Sequence, residues 1–110
     1  MDVIFHIDEP AKWPVVLSNL HNYITAATDE GVLGEIELLV NGSAITGVTQ
    51  ASSVAFADLQ ELGVTVAACS NAMRGHAITS GELKPGVLVV PAGVVELVKK
   101  QHAGFAYIKP

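Results

Sequence analysis

One cysteine is all that this chain of 110 residues contains, so Cys69 has no partner for an internal disulfide, and a reducing cytoplasm is the natural setting. Charge is scarce as well: charged residues make up 15% of the chain, against roughly 25% in an ordinary soluble domain. The net charge of −5 repels phosphate backbones and anionic lipid, and the six Lys and Arg never form a dense run, which sets nucleic acid and membrane surfaces aside as partners. The longest apolar stretch, Val87 to Val95, is broken at Pro91 and closed by Glu96, far short of the roughly 18 residues of a membrane helix. The opening Met1-Asp-Val-Ile-Phe-His6 lacks a basic flank and reads as a first strand rather than a leader. No glycine-rich phosphate loop follows it, and Asp8-Glu9-Pro10 in that place repels phosphate, so no nucleotide cofactor is expected. His6, His21, His76 and His102 show no ligand spacing, and no metal site is expected either.

What the chain does have is apolar character, at 50% of its residues, which with so little charge points to association with further subunits. Its length suits a single domain, residues 1–110, with a core large enough to need no staple. Short β-rich runs alternate with longer helical ones. Strands are predicted at Val3 to Ile7, Ile36 to Val40, Val64 to Ala68, Val87 to Val90 and Phe105 to Ile108, all apolar on both faces. Trp13, Val16, Leu17, Leu20, Ile24 and Ala27 recur at helical spacing, with Pro10 and Pro14 near the start and Gly31 as a stop. A second helix is predicted after Asn41-Gly-Ser, facing Ala51, Ala55, Leu59 and Leu62 inward, and a broken third over Asn71 to Ser80, interrupted at Gly75. The last, Ala92 to Gln101, faces Val94, Leu97 and Val98 inward and ends at Gly104.

Strand, helix, strand with short connections implies right-handed crossovers and a three-layer α/β/α sandwich with a parallel five-stranded sheet. The order expected for such a series is 2-1-3-4-5, which sets strands 1 and 3 side by side. Cys69, Asp8, the Asn41-Gly42-Ser43 turn and the Pro91-Ala92-Gly93 turn then gather at the carboxyl edge, where such sheets bind ligands.

Cys69 joins the apolar run Val64-Thr-Val-Ala-Ala-Cys to the helix-capable Ser70-Asn-Ala-Met-Arg-Gly75. Free amides at a helix start, with Arg74 or a protonated His76 turned back, stabilise a thiolate there, whereas Asp8 and Glu9 oppose it. The bland alternative is a small buried hydrophobe at a strand end. Beside it, His6 and Asp8 alternate onto one strand face as a candidate proton-transfer pair, or a structural one, and Asn41-Gly42-Ser43 offers amides to an anion or is a plain turn.

Cys69-Ser-Asn-Ala-Met-Arg-Gly75 resembles the Cys-x-x-Ala-x-x-Arg-Gly segment of the DsrE/DsrF-like sulfur-relay family, with one residue fewer before the glycine. The resemblance continues through Val3-Ile-Phe-His-Ile-Asp8, Leu39-Val-Asn-Gly42, Gly63-Val-Thr-Val66, Pro91-Ala-Gly-Val-Val-Glu-Leu97 and Gln101-His-Ala-Gly-Phe-Ala-Tyr-Ile-Lys-Pro110. It implies a three-layer α/β fold, a homotrimer or homohexamer, and a cysteine that carries sulfane sulfur as a persulfide between donor and acceptor proteins. Only Cys69 occupies the sulfur-bearing position; Asp8, Asn41, Gly42, Ser70, Asn71, Arg74 and His76 are the candidate pocket residues around it. Two other readings stay open: a non-catalytic oligomeric or interaction protein, and a redox sensor in which Cys69 is oxidised to a sulfenic acid.

Overall fold

A computed structural model describes residues 1–110 and places the apolar runs in one parallel sheet of five strands. β1 (Val3–Ile7) and β2 (Ile36–Val40) have the predicted limits, β3 (Val64–Cys69) extends through the cysteine, and β4 (Leu88–Val90) and β5 (Ala106–Ile108) are shorter than predicted. Every residue of β1 and β2 is buried, as continuous apolar runs require. β4 and β5 depart from the expected burial because they are the sheet edges, and Leu88, Val89, Tyr107 and Ile108 are exposed there.

The strand order is β4-β3-β2-β1-β5, which corrects the expected 2-1-3-4-5. The expected order requires the connection after β2 to pass over β1. That connection is made of 3₁₀ turns over Gly42–Val48 and the short α2 (Ala57–Glu61), and it joins β2 to its immediate neighbour β3. Right-handed crossovers made successively in one direction put α1 (Trp13–Asp29), these turns, α2 and α3 (Ser70–Gly75) on one face. The chain reverses only after β4, where α4 (Gly93–His102) carries it back over the other face to β5, beside β1.

The first face holds a core of 20 buried residues. Phe5 and Ile7 of β1, Leu38 and Val40 of β2 and Val66 of β3 meet Val16, Leu20 and Ile24 of α1 there. The helix forms because that stripe, from Trp13 to Ala27, repeats every three or four residues, with Pro14 in the first turn where its missing N–H costs nothing. Trp13 stacks on Phe56 and donates from Nε1 to the Ala44 carbonyl at 3.2 Å. The opposite face is thinner: Ile4, Leu39 and Ala67 lie beneath Leu97 and Phe105.

Two helices differ from their predicted forms. Ala51, Ala55 and Leu62 are exposed rather than inward, and of that stripe only Leu59 is buried. Ala44, Ile45 and Val48 fill the space from tight 3₁₀ turns, where Gly47 passes so close to the Trp13 indole that a β-carbon would collide with it. On α4, Val94 and Val98 face solvent and Leu97 alone of the predicted stripe is buried, because no second helix flanks α4 on this face. α3 stops at Gly75, where an interruption was predicted, and does not resume toward Ser80; Ala77, at φ 53°, takes the left-handed turn that follows.

Candidate functional site

The helix after β3 leaves toward one face of the sheet and the helix after β4 toward the other, which opens a crevice at the carboxyl ends of two adjacent strands. Cys69 closes β3 at that crevice, level with Val90 of β4. Alternation from Ala67 turns its side chain to the α4 face. The thiol is 5% exposed, and the Gly93 N–H at the start of α4 donates to Sγ at 3.2 Å. The crossing is tight: a β-carbon on residue 93 would lie 3.1 Å from Leu39 Cδ1, 3.2 Å from Cys69 Cβ and 3.3 Å from Asn41 Cβ. A main-chain N–H in the first turn of a helix carries partial positive charge, and here it is directed at the sulfur.

The helix start that meets the sulfur is therefore that of α4, and the α3 groups proposed for the role are engaged elsewhere. Arg74 donates to Ser70 Oγ at 3.1 Å and to Asn71 Oδ1, which braces α3 on its own surface. His76 Nδ1 lies 3.0 Å from the Ala72 carbonyl, also at the surface. Asp8 is not beside Cys69, because β2 stands between β1 and β3. Its carboxylate pairs with Lys109 Nζ at 3.4 Å and its carbonyl accepts from Ala44 N–H. Gly42 takes φ 54° under that same carbonyl, so Asn41-Gly42-Ser43 is a turn fitted against the end of β1.

Asn41 itself does belong to the cysteine's surroundings. Val40 pairs with Ala68, so Asn41 follows level with Cys69, and the β-carbons of both lie against Gly93. Asn41 Oδ1 is 2.7 Å from His6 Nε2, and His6 Nδ1 is 2.6 Å from the Tyr107 hydroxyl. This replaces the expected His6–Asp8 pair. Burial first of all pushes the Tyr107 hydroxyl above its ordinary pKa, so it keeps its proton. His6 thus stands between two groups that can each donate or accept, the Tyr107 hydroxyl and the Asn41 carboxamide.

Glu37, in the middle of β2, is the other polar group on this face, and its side chain is 6% exposed. Lys100 Nζ lies 3.6 Å from Oε1, and Oε2 has no partner. Burial raises its pKa from 4.5 to about 7, helped by the neighbouring Glu96 carboxyl and opposed by Lys100. Glu37, Tyr107 and the Gly93 N–H are not among the site residues expected from the sequence. An acidic residue inside Ile36-Glu-Leu-Leu-Val40 is a visible signal; the other two arise only from topology.

A groove of about 500 Å³ between α2 and the segment before β4 shares no residue with this site. Its polar groups are spent on main chain, with Lys84 Nζ on the Ser52 carbonyl at 2.7 Å and Gln60 Nε2 on that of Pro85 at 3.1 Å. No group of three or more His, Cys, Asp or Glu stands close enough to hold a metal ion. No helix is long and apolar enough to cross a membrane.

Fold and site together define an open parallel α/β protein with one cysteine at its topological switch point, held under the first turn of the helix that crosses back. The chain belongs to the DsrE/DsrF-like family, whose sequence pattern matches residues 24–110. Among solved structures it is similar to MTH1491 of Methanobacterium thermoautotrophicum, a protein of unknown function, at 29% identity and TM-score 0.86 over 99% of this chain and 98% of that one. BT1422 of Bacteroides thetaiotaomicron, likewise of unknown function, shares the fold at 16% identity and TM-score 0.76, covering 99% of this chain and 94% of its own. The ychN protein of E. coli does so at 18% identity and TM-score 0.73, with both chains covered in full at 100%. Among curated proteins, none matches the sequence. Family membership is consistent with a role in sulfur relay.

Proposed function

We propose that this protein is a sulfur carrier that holds sulfane sulfur as a persulfide on Cys69. The observation that carries the reading is the Gly93 N–H directed at Sγ from the start of α4, at the switch point between β3 and β4. In the transfer step the Cys69 thiolate attacks the outer sulfur of a donor persulfide. A sulfur–sulfur bond forms on Cys69, the donor's breaks, and the donor's inner sulfur leaves as a thiolate, with no net oxidation. A thiol acceptor removes the sulfur by the same exchange. With one cysteine in the chain, no second thiol competes to discharge the persulfide as an internal disulfide.

Donor and acceptor are proteins in this reading, and the carrier works as a homotrimer or homohexamer in the cytoplasm. Supporting the assembly are Val94, Val95 and Val98 on the outer side of α4, which are exposed together with Leu88 and Val89 on the β4 edge. The burial of Cys69 favours the rival reading, an interaction protein with an inert thiol, and a redox sensor uses the same residue differently. One experiment separates the three. Reduced protein incubated with a persulfidated thiol should gain about 32 Da, one sulfur, on Cys69, and Cys69→Ser should gain none while keeping its melting temperature and oligomer size. A native protein that gains no sulfur and resists alkylation is the inert subunit; one that gains oxygen from peroxide but no sulfur is the sensor.

A further inference from the structure

A thiol only 5% exposed meets neither a donor nor an acceptor protein while the helix above it stays in place. That helix, α4, rests on the sheet along one stripe. Gly93 touches the sulfur, Leu97 is the one large side chain that α4 buries, and Lys100 lies at Glu37, a spacing of four and then three residues. Val94, Val95 and Val98 are exposed and hold nothing down on the sheet. The chain enters α4 through Pro91-Ala92 and leaves through Gly104, which turns at φ 96° with open space around it. We propose that α4 is a lid over Cys69, and that the proton on Glu37 keeps it shut.

With its proton, the Glu37 carboxyl is neutral and tolerates its place beneath the helix. Without it, a negative charge is buried whose Oε2 meets no donor and whose Oε1 is 3.6 Å from Lys100 Nζ, an ammonium that also sits 4.8 Å over the Phe105 ring. The strands on either side bring no free charge. Ile4 of β1 and Thr65 of β3 stand level with Glu37, while Asp2 and His6, the next residues on that face of β1, are bound to the Glu35 main chain and to Asn41 and Tyr107. Glu35, before it on its own strand, is in solvent. The charges that act on Glu37 thus come from α4, namely Glu96 and Lys100. Swinging α4 out removes Glu96 and lets water reach both oxygens, so the open form releases to solvent a proton that the closed form keeps. Burial holds the closed carboxyl at about 7 against 4.5 in water, and between those values rising pH moves the balance toward the open form. The thinly covered face opens before the thickly covered one, because few buried apolar contacts hold it.

As a control on sulfur transfer the lid rests on the persulfide reading, but as a movement it is read from the thiol alone. Reduced full-length protein and Glu37→Gln, which resembles the protonated carboxyl, are treated with a dipyridyl disulfide, a reagent for thiols in mild acid as well as at neutrality. Amide exchange is followed in parallel. Thiol ionisation raises both rates with pH alike, so the ratio of wild type to Glu37→Gln isolates the lid. It should rise roughly ten- to a hundredfold between pH 4.5 and about 7 and then level off. Glu96→Gln should make that rise smaller and end it at lower pH. Leu97→Ala should speed modification roughly tenfold at every pH and leave the rise in place. Modification should keep pace with exchange of the α4 amides, and both should outrun exchange in α1. A ratio flat with pH overturns the lid, and so does a thiol modified no faster than α1 exchanges, since Cys69 is then reached only by unfolding the whole protein. Sulfur uptake from cysteine persulfide, followed by mass, tests the other reading: a rising ratio without uptake leaves the lid and removes the carrier, and uptake with a flat ratio does the reverse.

Discussion

On one face of the sheet, 20 buried residues are held under α1, α2, α3 and the 3₁₀ turns of 42–48; on the other, a single helix covers five. His6, Glu37, Asn41 and Cys69 all belong to the second face, and none of the first core's residues is charged or carries an amide. A close-packed interior has no room for a polar group without a partner, and its cost rises with the density of the apolar atoms around it. Where one helix crosses alone, its first turn supplies an N–H to Cys69, its flank supplies Lys100 to Glu37, and the uncovered margin leaves Tyr107 free to reach His6. Stability and chemistry are thus kept on opposite sides of the same five strands.

Cutting into each face in turn tests that division. Leu38→Ala, at a fully buried position on the heavily covered side, should cost about 4 kcal/mol, whereas Leu97→Ala, on α4, should cost about 2. Denaturant unfolding measures both, and equal losses break the comparison. Glu37 comes next. Its carboxyl is raised from 4.5 to about 7, so the folded state holds a proton that the unfolded chain has released between those values. Stability should therefore fall as pH climbs from about 4.5 to about 7, by up to roughly 3 kcal/mol, and level off above. Glu37→Gln should remove that slope and be the more stable protein above neutrality; parallel pH profiles of the two proteins refute the assignment. The smallest effect belongs to Gly93→Ala, whose added carbon must push Leu39, Cys69 and Asn41 aside by a few tenths of an ångström. The expected cost is about 1 kcal/mol, with faster amide exchange in α4 and unchanged exchange in α1.

The division also explains what could be read from the sequence. β1, β2 and α1 lie where covered strands and a regular stripe leave one solution, and their residues were assigned correctly from apolar pattern alone. Val94 and Val98 misled because the spacing of an apolar stripe says which residues share a face, not whether anything covers it. Strand order misled for a related reason: hydrophobicity marks a strand but not its neighbour, and the late reversal at α4 is set by which face still lacks cover. Cys69 was legible as a strand-end thiol. Its donor was not, since Gly93 lies 24 residues away and reaches it only because β3 and β4 are adjacent. His6 was seen beside the wrong partner, because alternation puts Asp8 on its face while the register puts Asn41 within bonding distance.

Every residue of the larger core lies between Val3 and Leu83, while the smaller one also needs Leu97 and Phe105, and Tyr107 follows on β5, whose sheet neighbour is β1. A chain leaving the ribosome at about 5–20 residues per second therefore has the material for its stable half about one to five seconds before the rest. Folding can begin without the site. The thiol at position 69 emerges early and the amide that caps it comes late, so the nascent protein passes through an interval in which its cysteine is an unguarded thiol.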